Sequence, residues 1–512
     1  MTDKAHEIVD SRYLQSCDMP QEKARIGPFT FVIFGGTGDL SRKKLIPTLF
    51  SLFQGRELPE QFSILGFGRT EMTDGEFRAL ISEAVAGDAG APFQGPQWDE
   101  FGSRLYYESG HVGEDETMKR LSSRIGQLQH MTGKERNIIY YLAVPPDAMP
   151  AIINRLKDFK LCEGTRIIVE KPFGSSRSTA RRLNGVLRSA FAEEQIYRID
   201  HYLGKETVQN IMFLRFVNPI FERLWSERNI DNVQITVAED IGIGMRGEFY
   251  ERNGIVRDII QNHVLQLIGM VAMEPPIGFQ ADYIRDEKIK VVRSIRHMEG
   301  DYIDRFMVRG QYGSGKISDT TVEGYRNEPR VSPSSMTPTF FAGKFHVDNL
   351  RWATVPFYVR AGKRLKRRIT EICLQFKQLP LRLFGRICDT AEPNALILTI
   401  QPEERISVRF SVKYPFSENQ LYPVNMDFCY GGAFPQHHYD AYERLLIDCM
   451  KGDLTLFVRE DMVDAMWEVA DPIIARWEAS PPVDFPNYEA GSWGPAASDR
   501  LIQEDGHKWL TG

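Results

Sequence analysis

Cysteine is scarce in this sequence and never occurs in closely spaced pairs. Six cysteines are spread over 512 residues without a C-x-x-C pair: Cys17, Cys162, Cys373, Cys388, Cys429 and Cys449. Structural zinc sites and small disulfide-stabilised domains both need such clusters. We therefore expect no metal site and no disulfide scaffold, and we expect a protein of the reducing cytoplasm.

The sequence also lacks a strong net charge and a long apolar run. Its 63 basic and 69 acidic residues leave a formal net charge of -6, which favours neither nucleic acid nor an anionic membrane as a partner. The most apolar helical stretch, 254–273, is interrupted by Arg257, Asp258, Asn262 and His263, which disfavours a membrane span. An anionic ligand must then be bound by a local group of residues.

The length and the residue pattern predict two domains behind a short arm. A chain of 512 residues exceeds what one hydrophobic core usually covers. Residues 1–27 lack the apolar core of a secretory signal, and their acidic side chains are untypical of a transit peptide. We interpret them as a flexible arm, followed by one domain at 28–200 and a second at 201–512.

The first domain has the pattern of an α/β fold. Residues 28–200 alternate short apolar runs with helical patterns, which is typical of a parallel sheet built from βαβ units. Strands are predicted at 29–35, 62–68, 137–144 and 166–172. We predict a Rossmann-like coenzyme domain.

The second domain changes to an α+β pattern. In residues 201–512, helices are predicted near Gly204 and at 255–270, and strands at 232–240 and, successively, between 344 and 413. The strand patterns predict a large, mainly antiparallel sheet with one exposed face.

A glycine-rich turn lies between the first predicted strand and its helix. Residues 33–45 read IFGGTGDLSRKKL. Glycines here let the backbone turn sharply and approach a pyrophosphate, whose charge is favoured by the following helix N-terminus. The spacing departs from the usual G-x-G-x-x-G, so a glycine turn without any ligand stays an alternative.

Arg69 follows the second predicted strand, where NAD-binding folds usually carry an acid for the ribose 2′-hydroxyl. An acid would repel a 2′-phosphate, whereas a guanidinium binds it in a fork. The sequence therefore favours NADP over NAD. Lys43 and Lys44 either assist this contact or are merely solvated.

Two polar segments stand at the end of the first domain. Lys171 ends the run IIVEK at the carboxyl edge of a predicted strand, where α/β sheets place ligands; a simple polar exit from the strand is the alternative. Residues 198–210 read RIDHYLGKETVQN, and their His201, Tyr202 and Lys205 stand at a helix start that suits a phosphate. A capped helix with solvated charges explains the same residues equally well.

His263 lies beside the apolar stripe of the helix predicted at 255–270, so a buried structural histidine is the default interpretation. An alcohol oxidised by hydride transfer needs a base with a near-neutral pKa, and imidazole is closest to that value. A carboxylate on the other ring nitrogen would fix the tautomer. Asp258, about 140° away around an α-helix, is badly placed for this contact, and the residue pattern identifies no other partner.

Five segments together resemble one enzyme family. Over about residues 28–510 the chain resembles the glucose-6-phosphate dehydrogenase family, on GGTGDLSRKK at 35–44, EKPFG at 170–174, RIDHYLGKETVQN at 198–210, GIVRDIIQNHVLQ at 254–266 and VPFYVRAGKRL at 355–365. The resemblance implies oxidation of C1 of β-D-glucose 6-phosphate to 6-phosphogluconolactone with reduction of NADP, the first step of the pentose phosphate pathway. Composition and spacing alone do not supply this substrate.

The resemblance also implies roles for single residues. His263 matches the family's general base and Asp200 its carboxylate partner. The substrate-binding positions are matched by Lys171, His201, Tyr202, Lys205, Glu239, Asp258, Lys363, Arg368 and Gln401, of which His201, Tyr202 and Lys205 match the phosphate contacts. The coenzyme-binding positions are matched by Gly35, Gly36, Thr37, Gly38, Asp39, Leu40, Ser41, Arg42, Arg69 and Lys171.

Some positions depart from the family pattern. The glycine turn reads G-G-T-G where many relatives have G-A-S-G, and residue 368 is Arg where many bacterial relatives have Lys. The C-terminal tail resembles bacterial members rather than the animal ones that carry a second NADP, so we expect one coenzyme per chain. A homodimer or homotetramer built across the large sheet is implied. A dehydrogenase of another sugar phosphate and a non-catalytic NADPH-binding protein stay alternatives.

Overall fold

The computed structural model describes residues 26–86, 95–132, 137–378, 392–417, 420–433 and 439–511. Almost all of the predicted arm, and with it Cys17, lies outside these residues, as does Cys388. The four cysteines that are described are free thiols. Among the described helices, none is both long enough and apolar enough to cross a lipid bilayer.

A six-stranded parallel sheet forms the N-terminal part of the fold. Its strands are β1 (Phe29–Phe34), β2 (Phe62–Gly68), β3 (Leu105–Ser109), β4 (Ile138–Leu142), β5 (Arg166–Val169) and β6 (Ile196–Arg198). They lie in the order β3-β2-β1-β4-β5-β6, and all neighbours are parallel. This is the strand order of a doubly wound dinucleotide-binding fold, in which ligands bind where the order reverses, between β1 and β4.

The predicted Rossmann-like domain is confirmed, although two of its strands were not predicted from the sequence. β1 and β4 are buried along their whole length, as expected for strands covered on both faces, and such apolar runs are easily recognised. β3 alternates buried and half-buried residues, and β6 has only three residues. The connecting helices are α1 (Ile46–Gln54), α2 (Asp74–Ala86), α3 (Pro96–Gly102), α4 (Asp115–Thr132), α5 (Met149–Asp158) and α6 (Arg177–Ala190).

An eight-stranded mixed sheet forms the C-terminal part. The remaining strands are β7 (Ile230–Ala238), β8 (Met307–Gly310), β9 (Tyr312–Gly313), β10 (Gly315–Ile317), β11 (Thr320–Val322), β12 (Phe340–His346), β13 (Pro356–Gly362), β14 (Ile369–Phe376), β15 (Ala395–Gln401), β16 (Arg405–Lys413), β17 (Leu421–Cys429) and β18 (Tyr488–Glu489). The large sheet has the order β17-β16-β15-β14-β7-β13-β12-β8. Within it, β7 and β13 pair in parallel and the other neighbours are antiparallel, which confirms the predicted mainly antiparallel sheet.

The prediction of one exposed face is wrong for the centre of this sheet. β13 is buried at every position. On β12, Phe341 and Phe345 pack into one hydrophobic cluster, whereas Phe340 and Ala342 pack into another. Side chains alternate between the two faces of a strand, so both faces are covered here. Exposed residues are concentrated at one edge of the sheet, where most residues of β17 are exposed.

The helix that carries His263 is only partly α-helical. The helix predicted at 255–270 consists of a π-helix, Val256–Val264, which continues as α10 (Leu265–Ala272). Gly254 joins it to the preceding helix with a φ of 58°, a left-handed conformation that glycine adopts without strain. The other helices of this part are α7 (Glu206–Phe216), α8 (Pro219–Glu222), α9 (Gly247–Ile255), α11 (Ala281–Arg293), α12 (Asp301–Phe306), α13 (Tyr430–Ala433), α14 (Ala441–Lys451), α15 (Glu460–Ala479) and α16 (Ala496–Gln503).

Candidate active site

A cavity of about 260 Å³ lies where the chain after β5 and β6 meets the π-helix and the ends of β7, β13 and β15. Nine of the residues predicted from the sequence line it: Lys171, His201, Tyr202, Glu239, Asp258, His263, Lys363, Arg368 and Gln401. Since these residues come from six separate segments of the chain, folding has brought the predicted set together.

His263 and Asp200 form a buried pair behind this cavity. Nδ1 of His263 lies 2.6 Å from Oδ1 of Asp200. Burial alone would raise the pKa of Asp200, but its pairing with His263 holds the pKa below its usual range. Burial lowers the pKa of His263 despite the opposing charge of Asp200, and the Lys171 ammonium adds to the lowering. His263 is thus a neutral imidazole whose Nδ1–H donates to an ionised carboxylate, which leaves the lone pair on Nε2.

Lys171 occupies that lone pair. Its Nζ lies 2.8 Å from Nε2 of His263 and donates to the backbone oxygen of Asp258 at 3.1 Å. An ammonium group has donors only, so it donates to the imidazole. Because Lys171 already donates to Nε2, a hydroxyl that is to give its proton to Nε2 must take the place of this ammonium. Lys171 and Pro172, which are joined by a cis peptide bond, both line the cavity.

Asp200, His201 and His263 also have the spacing of a metal site. Their ligand atoms lie within 4.8 Å of one another. However, the pair already uses Nδ1 of His263 and Oδ1 of Asp200, and Lys171 places a positive charge on Nε2. These hydrogen bonds account for the arrangement of the three side chains without a metal ion. That the protein needs no metal stays a prediction.

Two residues of the segment 201–205, called here the HYLGK segment, pack against the ring of His263. The His201 ring meets the His263 ring edge-on at 4.6 Å, and the Tyr202 ring stacks on it at 4.2 Å. Burial lowers the pKa of His201 well below its usual range, so this ring is neutral and offers one N–H donor. Lys205 is half-buried at the start of α7, but it is not part of the cavity wall.

Two acids face a shared lysine on the opposite side. Lys363 contacts the carboxylate of Glu239 and lies 3.3 Å from Oδ2 of Asp258. Burial would raise the pKa of Asp258, but the charges of Lys171 and Lys363 hold the pKa below its usual range. Carboxylate oxygens accept hydrogen bonds, so these two side chains suit the hydroxyl groups of a sugar.

The chain before β14 and the end of β15 supply the last predicted pair. Arg368 and Gln401 lie 3.4 Å apart from Nη2 to Oε1. The Gln401 amide also donates to the hydroxyl of Thr370 at 2.8 Å, which contacts the hydroxyl of Tyr202 at 3.3 Å. This chain of hydrogen bonds joins the large sheet to the HYLGK segment.

Some lining residues were not predicted. Five further polar or aromatic side chains belong to the wall: Arg246, Phe249, Asn253, Arg257 and Asn262. Asn262 also caps the backbone, because its Oδ1 accepts from the N–H of His263 at 2.7 Å. Arg257 and Asn262 stand next to Asp258 and His263 in the sequence, and that adjacency was the available signal.

The π-helix changes the angular argument for Asp258. In a π-helix the hydrogen bonds run from i to i+5, so Asp258 and His263 are nearly one turn apart and both line the cavity. The separation of 140° expected for an α-helix is therefore wrong here. Asp258 is still not the Nδ1 partner of His263, because Asp200 holds that position.

The glycine turn lies at the reversal point of the parallel sheet. The N–H groups of Gly35 and Gly36 both donate to the Phe67 oxygen, at 2.9 and 3.0 Å, and a Cβ on Gly36 would stand 2.7 Å from Cα of Gly66. The Ser41 hydroxyl donates to the Gly35 oxygen at 2.8 Å. The turn is thus fixed against β2 and leads into a helix start, whose first N–H groups have no partner within the helix.

The basic residues near this turn differ in their contacts. Arg69 is exposed directly after β2, at the same edge of the sheet as the glycine turn. Lys43 lies 3.5 Å from Oδ1 of Asp39, and Lys44 forms an ion pair with Asp440. Arg69 is thus an exposed guanidinium at this edge, whereas each of the two lysines faces an aspartate.

Comparison with known proteins identifies two family models along the chain. The family model described as "Glucose-6-phosphate dehydrogenase, NAD binding domain" matches residues 32–210, and "Glucose-6-phosphate dehydrogenase, C-terminal domain" matches residues 212–510. Together these two models cover the whole large sheet, the parallel sheet from residue 32 onward, and every residue that lines the cavity.

Relatives and solved structures agree with the family models. The chain is 42% identical to glucose-6-phosphate 1-dehydrogenase of Treponema pallidum, over 94% of this chain and 95% of the relative. It is 40% identical to that of Bacillus subtilis, over 93% and 97%. It resembles the crystal structure of the Mycobacterium avium enzyme, with a TM-score of 0.80, 34% identity and coverage of 94% and 99%. A glucose-6-phosphate dehydrogenase solved in complex with glucose 6-phosphate gives a TM-score of 0.86, 31% identity and coverage of 95% and 99%. The chain belongs to the glucose-6-phosphate dehydrogenase family.

Proposed function

We propose that this chain is an NADP-dependent glucose-6-phosphate dehydrogenase in which His263 is the base that deprotonates the C1 hydroxyl. The observation that carries the assignment is the buried His263–Asp200 pair, 2.6 Å between Nδ1 and Oδ1, with His263 in the wall of a cavity of about 260 Å³. A neutral imidazole with its lone pair on the cavity side is the group that an alcohol oxidation at neutral pH requires.

The proton of the C1 hydroxyl is transferred to His263, with Asp200 and Lys171 beside it. The C1 hydroxyl replaces the Lys171 ammonium at Nε2 and donates its hydrogen bond there. As the C1–H bond breaks, the hydroxyl proton passes to Nε2, and Asp200 stabilises the imidazolium that forms. Lys171, displaced by a short distance, stays a hydrogen-bond donor to the sugar.

The remaining contacts fix the sugar. We assign the phosphate to His201, Tyr202 and Lys205, assisted by Arg368. Glu239 and Asp258 accept hydrogen bonds from sugar hydroxyls, and Lys363 contacts both carboxylates. Gln401 supports the phosphate side through Thr370. The division is supported by contacts, because Glu239 and Asp258 both face Lys363, whereas Arg368 and Gln401 are joined to Tyr202 through Thr370.

The residues at the β1–β4 reversal fit NADP. Gly35 to Arg42 offer a fixed turn and a helix N-terminus for the pyrophosphate, and Arg69 offers a guanidinium for the 2′-phosphate. The coenzyme, when bound, accepts the hydride from C1. The turn holds the coenzyme at the carboxyl edge that also carries Lys171, next to the sugar cavity.

The test is the His263→Asn variant, assayed by absorbance of NADPH with glucose 6-phosphate. We expect kcat to fall by roughly 10²- to 10⁴-fold while the Kd for glucose 6-phosphate, measured by calorimetry, is unchanged. A variant with full turnover would remove His263 from the mechanism. Galactose 6-phosphate and free glucose serve as comparison substrates, because equal activity with free glucose would contradict the phosphate site.

The assembly and the location belong to the same proposal. β17 leaves Tyr422 and Met426 55% and 64% exposed, which favours a homodimer or homotetramer formed over the sheet edge. The widely spaced cysteines favour the cytoplasm. Light scattering at several protein concentrations would test the assembly, and a monomer at micromolar concentration would contradict it.

A further inference from the structure

The turn Asp440–Tyr442, where α14 begins, lies between the coenzyme turn and the HYLGK segment. On the coenzyme side, Lys44 forms an ion pair with Asp440, and its Nζ lies 5.4 Å from the centre of the Tyr442 ring. Lys44 belongs to the helical turn that directly continues the glycine turn. Lys44 thus connects the glycine turn with the start of α14.

On the substrate side, the same turn packs against the residues assigned to the phosphate. The Tyr442 ring is nearly parallel to the His201 ring, with an angle of 13° and 6.3 Å between centres. A Cβ on Gly204 would stand 2.5 Å from the Ala441 oxygen. The HYLGK segment therefore has no room to shift toward α14 without moving it.

A third contact of Tyr442 is with Glu170, the residue before Lys171. Glu170 directly precedes Lys171 and is buried. Burial raises the pKa of Glu170, although hydrogen bonds from Tyr141 and Tyr442 oppose the rise. The phenol of Tyr442 is thus anchored at the end of β5, beside the residue that donates to His263.

We propose that the Asp440–Tyr442 turn couples the two ligand sites, so that coenzyme and sugar phosphate each strengthen the binding of the other. The proposal rests on the proposed function, because it needs NADP at the glycine turn and a phosphate at His201 and Lys205. A coenzyme bound at the glycine turn restrains the helical turn that follows it, and with it Lys44. The restrained Lys44 holds Asp440 and Tyr442 against His201 before the sugar phosphate binds. Binding of the sugar phosphate then loses less conformational entropy, because these side chains are already ordered.

The size of the effect follows from exposure. The side chains of Lys44 and Asp440 are 38% and 44% exposed, so their ion pair has the strength of a surface pair, which corresponds to about a 2- to 5-fold change in an equilibrium constant. Typical couplings between two sites are about 5-fold or more. Loss of the pair should therefore remove a measurable part of the coupling.

The experiment measures the Kd for NADPH by its fluorescence, with and without saturating glucose 6-phosphate, in the full-length protein. NADPH is used because it cannot be reduced further, so no turnover occurs. The ratio of the two Kd values is the coupling factor, and the reverse titration must give the same factor. Direct effects of a mutation on either affinity cancel in this ratio.

Asp440→Asn is the main variant, because asparagine still accepts the hydrogen bond from the Tyr442 N–H and remains a good helix cap. Lys44→Gln breaks the same pair from the other side, and Lys43→Gln is the matched control on the neighbouring lysine, which pairs with Asp39. We expect a wild-type factor of about 5 or more, lowered about 2- to 5-fold in Asp440→Asn, in Lys44→Gln and equally in the double variant. Lys43→Gln should keep the wild-type factor.

Two results would overturn the coupling. One is a wild-type factor near 1 in an enzyme that turns over glucose 6-phosphate. The other is an unchanged factor in Asp440→Asn. Failure of the proposed function has a different signature, because the wild-type protein would then neither bind glucose 6-phosphate nor reduce NADP with it.

Discussion

Asp200→Asn replaces the charged partner of His263 by an amide of nearly the same shape. The amide oxygen still accepts the hydrogen bond from Nδ1–H, so the ring orientation is kept. What is lost is the attraction between the carboxylate and the imidazolium, which forms as C1 is oxidised. Two unit charges about 4 Å apart attract each other by about 4 kcal/mol at an effective dielectric constant near 20. The neutral hydrogen bond that asparagine keeps offsets about 1 kcal/mol of this lost attraction.

The net loss of about 3 kcal/mol corresponds to a decrease in kcat of roughly 10²-fold, at 1.36 kcal/mol for each factor of ten. The assay is the initial rate of NADPH formation with saturating glucose 6-phosphate, followed across pH. Asp200 raises the pKa of His263, so its removal lowers that pKa, and the acid limb of kcat/KM should move to lower pH. The Kd for NADPH should be unchanged.

Asp448→Asn is the matched control for Asp200→Asn. Asp448 is 3% exposed, close to the 2% of Asp200, but it pairs with Arg444 within α14 at 3.0 Å, away from the cavity. This variant tests for a general effect of removing a buried carboxylate, and its kcat should equal that of the wild type. A kcat for Asp200→Asn within threefold of wild type, or an acid limb that moves to higher pH, would refute the reasoning.

Three further variants test single contacts. Lys171→Gln removes an ammonium that lowers the pKa of His263, so that pKa should rise, as measured by NMR of histidine-labelled protein. Arg69→Gln should lower kcat/KM for NADP about 10- to 100-fold, since a charge-assisted fork to the 2′-phosphate is lost, while kcat/KM for NAD is unchanged. Lys205→Gln should lower kcat/KM for glucose 6-phosphate by a similar factor of about 10 to 100, without affecting the slow oxidation of free glucose.

Each of these variants has a result that contradicts its assignment. A lowered pKa of His263 in Lys171→Gln would mean that the lysine does not act through its charge. Equal losses with NADP and NAD in Arg69→Gln would separate Arg69 from the 2′-phosphate. Equal losses with glucose 6-phosphate and free glucose in Lys205→Gln would indicate a structural role, and the position of Lys205 outside the cavity wall makes this the sharpest of the three tests.

Local sequence patterns predicted much of the fold. Apolar runs predicted β1, β2, β4 and β5, because a strand covered on both faces must be apolar along its length. The same reasoning missed β3, which alternates, and β6, which is too short to form a pattern. It also assigned the large sheet one exposed face, because a strand pattern does not reveal which helices and loops cover it.

The site shows the same limit at the level of single residues. Lys205 was grouped with His201 and Tyr202 by position in one segment, yet the structure leaves it outside the cavity wall. The angular argument for Asp258 assumed an α-helix, and the segment is a π-helix. Local spacing predicts neighbours only when the local geometry is regular.

By itself, the sequence determined the chemistry that was available: a glycine turn after a buried strand, a guanidinium where an NAD-binding fold has an acid, and a histidine, acids and lysines in recognisable segments. The residue pattern left open how these groups are joined; the family resemblance implied the pair of Asp200 and His263, and the tertiary structure brings the two side chains into contact. The Asp200–His263 pair spans 63 residues, and the Lys171 contact with Nε2 spans 92. Such contacts depend on how sheets and helices pack over the whole chain, and periodicity reports only on residues within one element.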